Sequence, residues 1–262
     1  MSRKYEMYRM TWKEVEEAVK EDPVVIIPLG STEQQGPHTP TGDYRAATAV
    51  AKEVAKATNS LTIPTVAFGY SEYFRNFPGT ISLSAETLLS VLLETVRSLR
   101  SSGFKHIIFF NGHGGNAPVL DRAARILRRE DKLIVPALNL WQQITPDIRK
   151  EIYGEKDLTG HGGEPMTSLF LYLEPDDMRM DLLKNLHTNT HWQNLKIKGL
   201  DKADIEGVET YLYFNMEDIS PDGVFLTLES ASAERGEKLF AKIVEKVSLF
   251  VNGFKKTITI NQ

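Results

Sequence analysis

The chain has 262 residues, 41% hydrophobic and 25% charged, with a net charge of −4. That composition suits one large α/β domain, spanning 1–262, with a core of its own. Cysteine is absent, which excludes disulfides, thiolate metal sites and cysteine nucleophiles and leaves His, Asp, Glu or amide oxygen to hold any metal. The basic residues are scattered and no apolar run reaches the length of a signal-peptide core or a bilayer span, so the expectation is a cytoplasmic protein with no nucleic-acid and no membrane partner.

Thr11 and Glu14 form a capping box that opens a helix with Trp12, Val15, Ala18 and Val19 on its apolar face. Val24 to Leu29 reads as a strand buried on both faces. A polar loop follows, then a helix over 46–58 with Ala47, Val50, Ala51, Val54 and Ala55 inward. Strand 61–68 leads into a loop ending FPGT, and Ser84 caps a strongly apolar helix stopped by Gly103. Strand 105–110 runs into NGHGGN, helix 118–129 follows, and strand 133–140 is the fourth. The segment 142–158 reads as irregular, and 176–215 as an excursion or an interface element. A last helix covers 232–250. Strand and helix alternate from residue 10 to 140, the pattern of βαβ units. The expected fold is α/β, with a mostly parallel central sheet and helices on both faces. Its functional loops lie at the carboxyl ends of the strands, where open α/β sheets bind ligands.

Three polar motifs sit at or near such ends. Glu33, His38 and Asp43 fall within eleven residues, in a loop stiffened by Gly36, Pro37, Pro40 and Gly42. An isolated acidic residue there would be a turn. Three donors in a rigid loop after a buried strand point instead to metal coordination. Asn111 to Asn116, NGHGGN, surrounds one imidazole with three glycines, which permit close backbone approach and positive φ. It lacks the GK[ST] of a phosphate loop and the GxGxxG of a dinucleotide loop, so His113 reads as a metal ligand. In Gly160 to Ser168, GHGGEPMTS, Glu164 is a candidate ligand or base and His161 a candidate proton shuttle. His106 reads as structural. His187 and His191 are four apart without an intervening HExxH glutamate and are not read as ligands. No GxSxG elbow is present.

Taken together, GSTEQQGPHTPTGD, NFPGTISLS, NGHGGN, HGGEPMTS and the late DGV with SASAERGEKL resemble, in order, the motifs of the creatininase (creatinine amidohydrolase) family. The resemblance runs from Trp12 to about Leu239. It implies an α/β metal-dependent amidohydrolase in which a metal-bound hydroxide cleaves a non-peptide C–N bond, a linear amide or lactam of a small molecule. It implies Zn or Mn, one or two ions per chain, and a homo-oligomer, commonly a hexamer. By position it makes Glu33, Asp43 and His113 metal ligands, Glu164 the acid that completes a second site, and His161 the proton carrier, with His38 in a supporting role. Ser71, Arg75, Gly114, Gly115 and Trp141 are candidates for substrate contact, the two glycines through their N–H groups.

The departures carry information too. Gln35 stands where the family has a histidine that ligates the second metal, and an amide is the weaker ligand for a transition metal. That leaves the second site empty, weak or taken by a harder ion. Met166 replaces a glutamate, Leu226-Thr227-Leu228 a late triplet, and Tyr73-Phe74 with Arg75 a Glu-His pair. These changes argue against creatinine and for an anion-bearing substrate that meets Arg75 or Arg45. Two alternatives stay open: a family member that binds metal or ligand without turnover, and a hydrolase of formamides or small peptides.

Overall fold

The computed structural model describes residues 3–154, 160–184, 186–225 and 231–257. Helix α1 (Trp12–Val19) starts at the Thr11/Glu14 capping box, worth about 1 kcal/mol. Only part of its expected apolar face is inward. Ala18 is buried, whereas Trp12 is 70% exposed and takes the Lys13 ammonium over its ring at 3.9 Å.

Strand β1 (Val24–Leu29) is buried at all six positions. It leads through the polar loop to α2 (Tyr44–Thr58). Then come β2 (Leu61–Thr62), α3 (Ala85–Ser101), β3 (His106–Asn111), α4 (Ala117–Glu130) and β4 (Ala137–Asn139). The central sheet has the order β2-β1-β3-β4 and is parallel throughout. Its strand side chains alternate between two cores. Val24, Ile26, Ile108 and Phe110 face one core. Val25, Ile27, Leu29, Ile107 and Phe109 face the other, with α3 and α4. This is why the strands read as continuous apolar runs: neither face meets water.

The second and fourth strands are shorter than the expected 61–68 and 133–140, and proline explains both. Ile26 and Pro28 face β2: their carbonyls accept from Ile63 N (3.3 Å) and Val66 N (3.0 Å). Pro28 has no N–H to return, nor has Pro64, so the ladder breaks after Thr62 and resumes only as the Leu29–Val66 bridge. On the other edge Pro136 accepts from Phe109 N (2.9 Å) but cannot donate, and regular pairing begins at Ala137.

Segment 142–158, expected to be irregular, holds helix α5 (Pro146–Tyr153), opened by Thr145 with Pro at its first turn. Helix α6 (Met166–Leu173) follows the glycine-rich GHGG turn. The excursion 176–215 contains an antiparallel sheet of β5 (His191–Trp192), β6 (Leu195–Ile197), β7 (Lys202–Ile205) and β8 (Val208–Tyr211), in that order. It closes, with α7 (Met216–Ile219), over a small core of Ile197, Ala203, Phe214 and Ile219. Trp192 and Phe214 meet edge to face at 6.0 Å, so these two aromatics serve packing, while Tyr211 and Tyr213 stack on each other in solvent. Helix α8 (Ala233–Phe254), capped by Ser232, lies along α2 and α6 and completes the first core. Among the described residues no helix is long and apolar enough to cross a membrane.

Candidate active site

The chain leaves β1 for β2 on one side and β3 for β4 on the other, so the loops after the adjacent strands β1 and β3 diverge around a crevice at the carboxyl edge. Gly112 N donates to Leu29 O (2.8 Å), which keeps the two loops in register at that edge. Glu33 and Asp43 come from the first loop and His113 from the second. One donor atom from each lies within 4.8 Å of the others, and all three residues are buried.

Each is held by specific partners. Asp43 occupies the cap position of α2, yet its side chain makes no capping bond. One oxygen accepts from Ser31 N (2.7 Å) and the other faces His113 Nδ1 (2.9 Å). Glu33 Oε2 lies 3.2 Å from the same nitrogen, accepts from the Ser71 hydroxyl, and its Oε1 accepts from Gln35 Nε2 (2.9 Å). The Nε2 of His113 is close to Ser71 Oγ (3.1 Å) and Tyr70 O (2.9 Å), and the Tyr73 ring stacks beside the imidazole with centroids 6.2 Å apart.

Burial alone would drive the proton off His113, but the charges of Glu33 and Asp43 outweigh it and raise the imidazole well above its ordinary range. Burial, with Glu33 adding to it, pushes Asp43 up. Glu33 is held down by His113 in spite of its burial. The proton on His113 therefore balances two enclosed carboxylates. A divalent cation does that more completely, with hard oxygen donors and one imidazole, the donor set suited to Zn or Mn. The residues present fit the ion.

A cavity of about 250 Å³ opens on the cluster. Its walls include Gln35, Tyr73, Phe74, Gly114, Trp141, His161, Glu164 and Met166 as well as the triad. Glu164 is fully buried and sits outside the donor cluster. Ser168 Oγ donates to one of its oxygens (2.6 Å) and Tyr153 OH to the other (3.1 Å). His161 stacks on Phe74 at 4.1 Å. Burial pushes its pKa down, against a smaller opposing effect of Glu33, so it is neutral near pH 7. Gly36 N donates to Gln34 Oε1 (2.7 Å). That orients the Gln34 amide so that its Nε2 lies 2.9 Å from His161 Nε2, which is also 3.0 Å from the Gln34 backbone oxygen. Trp141 donates from Nε1 to Gly112 O (2.6 Å) while lining the cavity.

Other expected contacts lie elsewhere. Ser71 is fully buried beneath the triad, bonded to Glu33 and to Ser31 Oγ at 2.5 Å, so it braces the cluster instead of facing a substrate. Arg75 pairs with Glu72 (2.7 Å) and Arg45 with Glu174 and Asp177; neither lines the cavity. His38 is buried against Thr167 Oγ1 (3.0 Å) and burial lowers its pKa to about 4, which fits a supporting role. None of the glycines of NGHGGN has positive φ. Close approach is the reason at Gly115, where a Cβ would come within 2.5 Å of His113 Nε2 and Tyr73 Oη. Leu226-Thr227-Leu228 lies outside the described residues. Tyr153 and Ser168, which hold Glu164, were not singled out by the sequence, because hydroxyl residues inside helices carry no local signal of what they face.

The creatinine amidohydrolase family profile matches residues 8–251. A mycofactocin precursor peptide peptidase from Mycobacterium tuberculosis is 37% identical over 234 residues, covering 85% of this chain and 82% of that protein. A creatinine amidohydrolase from Pseudomonas putida is 33% identical over 200 residues, 69% of this chain and 76% of that one. Among solved structures, a creatininase mutant in a Zn–Zn form superposes with a TM-score of 0.82 at 25% identity, covering 98% of this chain and 100% of that chain. A manganese creatininase gives 0.80 at 25% identity, over 97% and 100%. Family motifs, a profile match across most of the chain and a shared fold agree: this protein is an amidohydrolase of the creatininase family.

Proposed function

We propose that the protein is a metal-dependent amidohydrolase acting on a linear amide or lactam of a small molecule. The observation that carries this is the buried Glu33, Asp43 and His113 cluster opening on one small cavity with His161 and Glu164. These three residues would hold a Zn or Mn ion, which when bound supplies Lewis acidity and lowers the pKa of water toward ~7. Ser71 and Gln35 fix the Glu33 carboxylate, and Ser31 N fixes Asp43. Of the two glycines Gly114 lines the cavity, where its backbone N–H would face the developing oxyanion, whereas Gly115 is not among the lining residues. His161, neutral near pH 7, would relay to the leaving nitrogen the proton released by water, so that the imidazole ends the step neutral, as it began. Glu164, with a hydroxyl donor on each oxygen, is the acceptor for the proton released by water. A cavity of about 250 Å³ is small beside typical ligand sites and admits a compact substrate.

The test is chelation and reloading. Apo protein is expected to be inactive on a panel of linear amides, lactams, formamides and short peptides, and Zn²⁺ or Mn²⁺ to restore hydrolysis of at least one. Equal activity of the apo protein would sink the reading; bound metal with no turnover anywhere on the panel would favour the ligand-binding alternative. Likeness to the mycofactocin precursor peptide peptidases favours a second reading, cleavage of a peptide bond in a small precursor, and the same panel separates it.

Gln35 bears on metal count. Its amide N–H₂ donates to Glu33, so it presents a donor where an imidazole would present a lone pair. One ion per chain is expected. Gln35→His is expected to raise the count to two, by elemental analysis after dialysis, with Asp43 and Glu164 sharing the second ion. A count that stays at one would refute this assignment. A homo-oligomer, a hexamer by family resemblance, belongs to the same proposal.

A further inference from the structure

The cavity wall includes one guanidinium, that of Arg149. It stands on α5, four residues before Tyr153, so the two share a helix face. Tyr153 reaches Glu164 through its hydroxyl, and that places Arg149 one turn along the same wall. Its Nε donates to Ile144 O (3.1 Å), which anchors the planar group and leaves both terminal nitrogens to point elsewhere.

Among the described residues Arg149 has no carboxylate partner. The acids of the cavity wall and Glu151 of its own helix are engaged elsewhere. Each oxygen of Glu164 already accepts a hydroxyl. Glu33 and Asp43 are bound to His113. Glu151, on the same helix, pairs with Lys242 at 3.1 Å. By contrast Arg45, Arg75, Arg97, Arg125 and Arg179 all hold carboxylates. An anchored, half-buried guanidinium whose terminal N–H groups meet no carboxylate among the described residues has the geometry for bidentate capture of one.

We propose that Arg149 binds a carboxylate carried by the substrate, so that the enzyme selects acidic amides over neutral ones. This rests on the amidohydrolase reading, which leaves the substrate class open.

The test uses metal-loaded protein and paired probes: N-acetylglycine, N-acetyl-β-alanine and N-acetyl-γ-aminobutyrate, each against its terminal amide, with binding measured by calorimetry. The wild type is expected to prefer at least one acid over its amide by roughly 10–100-fold, the span of a hydrogen bond to a charged group. In Arg149→Met that ratio is expected to fall to near one, and Arg149→Lys, which keeps the charge without the fork, to lie between. No acid preference in the wild type, or an unchanged ratio in Arg149→Met, overturns the proposal. The ratio is independent of any general loss of stability in the variants. It is also independent of turnover: an acid preference that depends on Arg149 in a protein with no hydrolysis would sink the enzyme reading and leave this site standing.

Discussion

His113→Ala is expected to bind no stoichiometric divalent metal and to show no detectable amide hydrolysis. The imidazole is the only nitrogen donor in the cluster, and it is the group that holds Glu33 and Asp43 at one point. Changes to residues merely behind a ligand weaken metal binding by about 10–100-fold, so loss of the ligand itself should exceed that. A second consequence separates this scheme from simple loss of a contact. In the metal-free protein the His113 proton offsets two buried carboxylates, and breaking such an enclosed ion pair costs about 3–5 kcal/mol. Apo His113→Ala should therefore melt well below apo wild type. Calorimetry with elemental analysis checks both parts, and a variant that keeps its metal and its turnover would refute the assignment of His113.

Gly236→Ala is expected to cost about 3 kcal/mol or more, the upper range for overpacking, and to lower Tm by roughly 6–12 °C. Gly236 lies on α8 where that helix crosses α6. A Cβ there would sit 2.6 Å from the Ser168 carbonyl carbon and closer still to its oxygen. The obstacle is backbone, so no rotamer change relieves it, and the helices must separate. The effect should reach the site, because the Ser168 hydroxyl holds Glu164 and accepts from Ser232 N at the start of α8. Activity should fall by more than the folded fraction does. Gly253→Ala, on the same helix with open space around it, is the control: it is expected to be neutral or to stabilise by up to about 1 kcal/mol through helix propensity. Equal melting temperatures for the two variants would refute the close-packing account.

What the sequence determined by itself was set by period and by punctuation. Runs such as VVIIPL and HIIFFN are apolar at every position, which is possible only for strands covered on both faces, and they gave the parallel sheet. Glycine, proline and acidic residues clustered after those strands gave Glu33, Asp43 and His113 as candidate ligands, since such groups rarely gather in a rigid loop without a cation. The glycine-rich GHGGEPMTS segment gave His161 and Glu164 as candidates, and the family resemblance added their roles and the significance of Gln35.

Other features were not legible. The early end of β2 depends on Pro28 of the neighbouring strand, a pairing invisible within 61–68. The N-cap position of Asp43 does not reveal that its oxygens are drawn off to Ser31 and His113. Arg75 and Arg45 were the cations nearest the motifs in the chain, but surface acids neutralise them. Arg149 lay in a stretch that read as irregular, and only the packing of α5 brings it to the cavity wall. Tyr153 and Ser168 meet at Glu164 from two helices that converge only in the folded molecule. Local chemistry specified which residues could hold a metal. Tertiary packing decided which charges line the cavity and which meet a counter-ion among the described residues, because charge neutralisation depends on neighbours in space and the sequence records only neighbours along the chain.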